Sequence, residues 1–426
     1  MKLFWFLILL IPFIGNYVSN DTGILLVTIV TCFFLFKSLF LSITKIFNMI
    51  LVFASFDFFL KQTSFLPLWD FTKIIILLFS VIIFFKSKIR DSLSICIIPI
   101  FLLLSWIFFS FEKDALSYIY PWVSFALLFS SLSHKNIDIN KIFKKDYIIF
   151  IGYGVTAIFL IFFKSDFDQL DYGSGRFSNN STIGFSANQF TNFCCIFFSY
   201  FIFKYSKGFY NKKNIDLFFL LTFVTLFLFS LLSLSRGGIL SFLIISCLFI
   251  YFKLNYKMFK NLVLALFIII PSIIFVNNLS QGSLALRFLG KSSMKLNTEL
   301  SSYDTGRTSI ILGDLNSFYN NPFFGVGIGN SGDENIYVNV NSHSEFFRFL
   351  AEQGIFGILC IIVLFYNLLS IFPFKKENII YFLSVLLFFL VLHQGSSRIS
   401  YAFLFVILFK IYYQEYHFNK SLSSIT

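Results

Sequence analysis

Residues 341–357 read NSHSEFFRFLAEQGIFG, and this stretch decides how the chain is built. Ser342 followed three residues later by Glu345 has the spacing of a capping box, which predicts that a helix starts here. His343 then falls in the first turn, among main-chain N–H groups that have no partner inside the helix. The partial positive charge at that end disfavours an imidazolium, so a neutral, proton-accepting His343 is expected. The alternative is a plain capped helix with an exposed histidine. Arg348 and Glu352 stand four apart and share a helix face. From Ile355 to Phe372 the residues are almost wholly apolar. The stretch is predicted to be the polar tip of a helix entering a membrane.

Composition extends that reading to the whole chain. Its 426 residues are 57% hydrophobic and only 13% charged, with a mean hydropathy of +0.82. Those values exclude an ordinary soluble domain. Apolar runs of spanning length recur near 3–18, 23–41, 43–60, 68–85, 91–110, 116–133, 146–163, 186–203, 215–234, 237–252, 259–277, 347–373, 377–393 and 398–413. The expected fold is all-α: a polytopic transmembrane helical protein of about 12–14 spans, with residues 1–426 forming a single integral membrane domain. Met1–Val18 resembles a signal peptide, but no small-x-small cleavage site follows and it is read as the first helix. The six cysteines all fall in apolar runs without metal-ligand spacing, so neither a disulfide nor a zinc site is expected. The 67 phenylalanines are read as coding bias without functional meaning.

The formal net charge of +12 invites a nucleic-acid reading, which the distribution of basic residues removes. Lysines collect in alternate loops, among them Lys86/Lys88, Lys141/Lys144/Lys145, Lys212/Lys213 and Lys375/Lys376. The positive-inside rule then places those loops, and both termini, in the cytoplasm. Arginine departs from the pattern. Of seven arginines, only Arg90 lies on the inner side; Arg176, Arg236, Arg287, Arg307, Arg348 and Arg398 fall on the outer side. Arginine offers phosphate a planar two-donor fork where lysine offers a point charge, so an anionic ligand on the outer face is expected. Interfacial snorkelling or salt bridges are the alternative.

Three outer stretches hold most of this polarity. Residues 166–188 centre on Arg176, SLSRGG at 233–238 is a tight turn around Arg236, and residues 278–345 form the one long loop. That loop carries Arg307 and then NNPFFGVGIGN at 320–330. Its Gly325, Gly327 and Gly329 have no βαβ context, so a dinucleotide site is improbable. Long loops in compact proteins are usually functional.

In order, SRGG between two helices, Gly306-Arg307, NPFFGVGIGN and HSEFFRFLAEQGIFG resemble the O-antigen polymerase and ligase superfamily (Wzy-like membrane glycosyltransferases). The ordered motifs span Ser233–Gly357, while hydropathy and the large outer loop match over the whole length. The family's usual residue after the histidine is Asn, where this chain has Ser344. The resemblance implies a GT-C-like, metal-independent glycosyltransferase in the bacterial inner membrane. It would work on the periplasmic side with undecaprenyl-pyrophosphate-linked oligosaccharide, and the 278–345 loop would bear part of the active site. Carried onto this sequence, His343, Arg236 and Arg307 are the expected catalytic residues. Arg176, Glu345, Arg348 and Asn330 are the expected substrate-binding residues.

The residues agree with that implication. A lipid pyrophosphate donor needs arginines to neutralise the leaving group and a base for the acceptor hydroxyl. Glu345 is the rival base. The other histidines fall in an inner loop (His134), near a helix end (His393) and in the tail (His417). The cluster Asp166, Asp168 and Asp171 is read as solvated loop charge, so no metal and no cofactor are expected. The span number and idiosyncratic Phe-rich sequence point to the polymerase branch; a ligase acting on lipid A-core is the nearer alternative. A lipid-linked sugar flippase, which places ionisable groups mid-membrane, is the alternative of another class. Expected partners are membrane lipid, the lipid-linked oligosaccharide, a chain-length regulator and a flippase, with no nucleic acid.

Overall fold

The computed structural model describes residues 31–62, 71–88, 91–110, 115–143, 270–278, 307–332, 344–371 and 402–423, with scattered positions between 191 and 267. The spans expected near 3–18, 146–163, 186–203, 215–234, 237–252 and 377–393 lie wholly or largely outside them. Regular structure among the described residues is helical, without strands. The elements are α1 (Ile43–Gln62), α2 (Phe71–Lys86), a 3₁₀ turn (Leu93–Cys96), α3 (Ile97–Ser105), a π turn (Trp106–Ser110), α4 (Leu116–Ser131), α5 (Ile139–Phe143), α6 (Arg307–Asn320), α7 (Glu345–Ile371) and α8 (Ala402–Ser423). Two expected boundaries change. The run 91–110 is not one α-helix, because Pro99 lacks an N–H and its ring excludes the carbonyl four residues back; α3 therefore begins just before it. The last span, expected to end near 413, continues as helix to Ser423.

The chain divides into two compact units, Met1–Ile100 with Leu116–Phe163 and Ile407–Thr426, and Phe101–Ala115 with Lys164–Val406. In the first unit α2 packs against both α1 and α4. Its core is aromatic and β-branched: Phe47, Ile50, Ile75, Phe79, Ile83, Trp122, Phe125 and Phe129 are all almost fully enclosed. Trp122, Phe125 and Phe129 recur at helical spacing on one face of α4, with ring centroids 6.1 and 5.3 Å apart along the series.

Three lysines of this unit end on main-chain carbonyls. Lys86 Nζ donates to the oxygens of Ser38 (3.2 Å) and Leu41 (2.6 Å), at and just beyond the end of the helical stretch 31–38. Lys410, fully buried, donates to the Phe129 carbonyl in the last turn of α4 and lies over the Phe129 ring. Both neutralise helix C-terminal carbonyls. Lys73 answers a different need. Pro121 sits inside α4 and cannot donate to the carbonyl four residues earlier, that of Ser117. Lys73 Nζ, 4% exposed, donates to that oxygen at 3.2 Å. A buried cation thus satisfies a carbonyl orphaned by a proline. A double-mutant cycle of Lys73→Met with Pro121→Ala should show a coupling of about 1 kcal/mol in detergent melting experiments. The alanine restores an N–H to the helix and makes the lysine dispensable; additive effects would sever the link.

Near the ends of α2 and α4 a polar corner closes this unit. Ser87 Oγ donates to the Ser131 carbonyl (2.9 Å), and Asn136 Nδ2 donates to Ser87 Oγ and to the Ser131 carbonyl, each at 2.9 Å. The backbone N–H of His134 donates to Gln414 Oε1 at 3.3 Å. Burial, with Lys135 adding to it, holds the His134 imidazole below its ordinary pKa.

The second unit contains α6 packed on α7. Among the described residues only α7, over Glu345–Ser370, is long and apolar enough to cross a membrane. The expected uninterrupted span is corrected here: α7 is broken at Gly354, whose φ of 58° and ψ of −136° lie far from helical values. A polar arm, Glu345–Gln353, thus precedes an apolar arm, Ile355–Ile371.

Candidate functional site

The polar arm starts two residues later than its capping-box spacing suggested. The Arg348 N–H bonds to the Ser344 carbonyl at 2.9 Å, which makes Ser344 the residue whose oxygen accepts the first helical bond. Glu345 is accordingly the first helical residue instead of the third, and the capping box expected from Ser342 does not define this helix start. His343, expected in the first turn, precedes the cap in sequence and lies outside the described residues, as do Arg176 and Arg236. Arg307 is the first residue of α6, as the sequence suggested.

Between α6 and α7 the described chain runs through the glycine-rich loop 321–332. Gly325, Gly327 and Gly329 have φ of 69°, 91° and 90°, a region closed to most L-residues. The left-handed backbone lets the loop lie directly on the break in α7. In an unbroken helix the Ala351 and Glu352 carbonyls would accept the N–H groups of Ile355 and Phe356. Here the Val326 N–H donates to Ala351 O (2.9 Å) and the Gly327 N–H to Glu352 O (3.1 Å). In return the Ile355 N–H, freed by the break, donates to Pro322 O at 2.8 Å. Loop and helix exchange main-chain partners, so a break that would leave polar groups orphaned is satisfied. The approach is close enough to require glycine on both sides. A Cβ on Gly325 would lie 2.3 Å from the Glu352 carbonyl carbon, and one on Gly354 2.6 Å from Pro322 O.

Side chains reinforce the seam. Arg348 Nη2 lies 2.7 Å from Glu345 Oε2, and its Nε lies 3.6 Å from Glu352 Oε2. Ser331 Oγ donates to Glu352 Oε1 at 3.0 Å, and the main-chain N–H groups of Gly329 and Ser331 donate to the same carboxylate. Glu345, Arg348, Glu352 and Ser331 are each no more than 5% exposed. Removing one member of such a buried charge set costs about 3–5 kcal/mol, because the partner charge is left uncompensated. Asn330 turns its Nδ2 back onto Val326 O at 3.0 Å, tightening the loop.

The structure thus brings Glu345 and Arg348 together in an internal ion-pair network, with Asn330 beside it in the loop. Sequence reasoning paired Arg348 with Glu352 but missed Ser331 and the enclosed Gln353; the signal was the Glu-x-Gly spacing, Glu352–Gly354. Among the described residues no group of three or more His, Cys, Asp or Glu side chains is placed to hold a metal. The cysteines at 32, 96, 194, 195 and 360 are free thiols.

A polar helical arm joined to an apolar arm, with a glycine loop sealed onto the joint, puts a polar site at one end of the helix that is long and apolar enough to cross a membrane. Residues 221–362 match the family model described as O-antigen ligase, a segment that includes α6, the loop and the broken part of α7. The match covers about a third of the chain and supports an assignment to the O-antigen ligase and polymerase superfamily. No curated protein matches the chain.

Proposed function

We propose that the protein is a surface-polysaccharide (O-antigen) polymerase of the bacterial inner membrane, with its site on the periplasmic side. It transfers glycan from undecaprenyl pyrophosphate to the terminal sugar hydroxyl of another lipid-linked repeat unit. The observation that carries this reading is the coincidence of one matched segment with every part the reaction needs. Residues 221–362 hold Arg236, Arg307, the sealed loop and His343, which immediately precedes the cap of a helix whose second arm is apolar.

In the reaction, the acceptor hydroxyl oxygen attacks the anomeric carbon and its proton passes to His343. The bond from that carbon to the pyrophosphate oxygen breaks, and undecaprenyl pyrophosphate leaves with the electron pair. Arg236 and Arg307 meet the charge that develops on the leaving group, where preorganised donors are most effective, and Arg176 and Asn330 contact the substrate. Glu345 and Arg348, held together in the interior, shape the helix tip. No resident metal or cofactor enters this scheme.

Membranes containing only this protein should lengthen added lipid-linked glycan without an ion gradient. A requirement for a gradient, or movement of glycolipid without chain growth, would indicate a flippase. The matched family's description favours a ligase as the second reading, and exclusive transfer to lipid A-core in the same assay would establish it. The arginine roles have their own test. Lysine keeps the charge but loses the fork, so Arg236→Lys and Arg307→Lys should each lower the rate at least about 10-fold, nearly as far as Ala. Wild-type rates in both lysine variants would leave those arginines only a topological or packing role.

A further inference from the structure

We infer that Glu352 is a positioning residue for the transfer reaction: its buried carboxylate is the node that holds the glycine loop on α7 and, through Arg348, fixes the first turn that follows His343. The inference rests on the reading above for the reaction, and on the structure alone for the node. Three donors converge on the carboxylate, Ser331 Oγ at 3.0 Å and the main-chain N–H groups of Gly329 and Ser331, with Arg348 Nε 3.6 Å away as its ion-pair partner. With 3% of the residue exposed, the Glu352 carboxylate is enclosed by these partners and grips the loop from within. Its main-chain oxygen meanwhile accepts the Gly327 N–H, so side chain and backbone of one residue both grip the loop. From Arg348 the network continues to Glu345, which starts the helix two residues after His343. The seam joins the loop that carries Asn330 to the helical turn beside the proposed base. Moving either part by about 1 Å is enough to cost on the order of 100-fold in rate.

The test uses Glu352→Gln, which keeps the volume and one acceptor oxygen, in the full-length protein in detergent. Two readouts are taken. The first is hydrogen exchange at the Val326 and Gly327 amides, whose bonds to α7 report whether the loop is seated. The second is the kcat against KM split for extension of undecaprenyl-pyrophosphate-linked glycan. The expected result is exchange at least about 10-fold faster and kcat lower by about 10–100-fold. KM for the glycolipid should stay within about threefold, since binding groups are retained. Glu352→Asp, with its charge kept, should recover part of kcat. If Glu352→Gln does not accumulate, Ser331→Ala carries the same test, since it removes one hydrogen bond and leaves every charge. Unchanged exchange would overturn the holding role. Faster exchange with unchanged kcat would show a stability device without influence on the reaction. A wild-type protein that extends no glycan would sink the functional reading, while the exchange measurement still decides whether Glu352 holds the seam.

Discussion

Gly325→Ala should remove nearly all glycan extension, while Phe323→Ala, two residues away, should leave it close to wild type. The difference follows from what each side chain position meets. Phe323 is 68% exposed, and its removal opens no gap inside the protein. An alanine at 325 would have to adopt φ near 69°, which costs an L-residue about 1–2 kcal/mol. Its Cβ would also fall 2.3 Å from the Glu352 carbonyl carbon and 2.5 Å from both Ala351 O and Gln353 N. These are main-chain atoms, so no rotamer change relieves the overlap. The loop must lift, and the Val326–Ala351 and Gly327–Glu352 bonds are lost, each unmatched buried group costing about 1–3 kcal/mol. A combined shift of about 3 kcal/mol lowers the ratio of seated to unseated loop about 100-fold. Activity should fall by a similar factor, with fast exchange at Val326 and Gly327. Slow exchange together with full activity in Gly325→Ala would show that the loop's seat on α7 does not matter to the site.

How much of this was legible in the sequence depended on how far apart the cooperating residues lie. The polar tip, the apolar arm and the Arg348–Glu352 pairing were readable because helical periodicity is local. The start of α7 was misplaced by two residues because Ser342 and Ser344 are both acceptable caps, and only the Arg348 N–H bond to Ser344 O distinguishes them. The break at Gly354 was not readable at all. A single glycine within a helical pattern is usually tolerated; this one breaks the helix because Pro322, Val326 and Gly327, some thirty residues earlier, supply replacement hydrogen bonds. For the same reason Gly325, Gly327 and Gly329 could be denied a dinucleotide role from sequence, yet their use as a close-packing strap required the tertiary structure. Lys73 gave a similar lesson. Its local sequence gives no sign of a partner, whereas the structure shows it serving the carbonyl that Pro121 leaves unpaired. Long-range backbone needs of this kind leave almost no trace in local composition.

His343→Gln should reduce glycan extension by a factor on the order of 10²–10⁴, the usual cost of losing a general base, while the protein accumulates and inserts normally. The expectation rests on the residue's place in the chain. In sequence it immediately precedes Ser344, the cap of α7, and the expectation is that it meets the positive potential of a helix N-terminus. That potential favours the neutral imidazole, the form able to take a proton from the acceptor hydroxyl. Glutamine retains a hydrogen-bonding side chain of similar reach but cannot be protonated near neutral pH, so it separates proton transfer from mere positioning. Glu345, the rival base, is 1% exposed and its carboxylate lies 2.7 Å from Arg348 Nη2. A carboxylate so enclosed and paired is out of reach of a substrate hydroxyl, which favours the histidine. Glu345→Gln should therefore act mainly through the helix tip and lower the yield of folded protein more than the rate per folded molecule. The decisive comparison is the rate of lipid-linked glycan extension by equal amounts of purified, folded protein. A His343→Gln enzyme working near the wild-type rate, beside a folded Glu345→Gln enzyme that does not work, would transfer the base from His343 to Glu345.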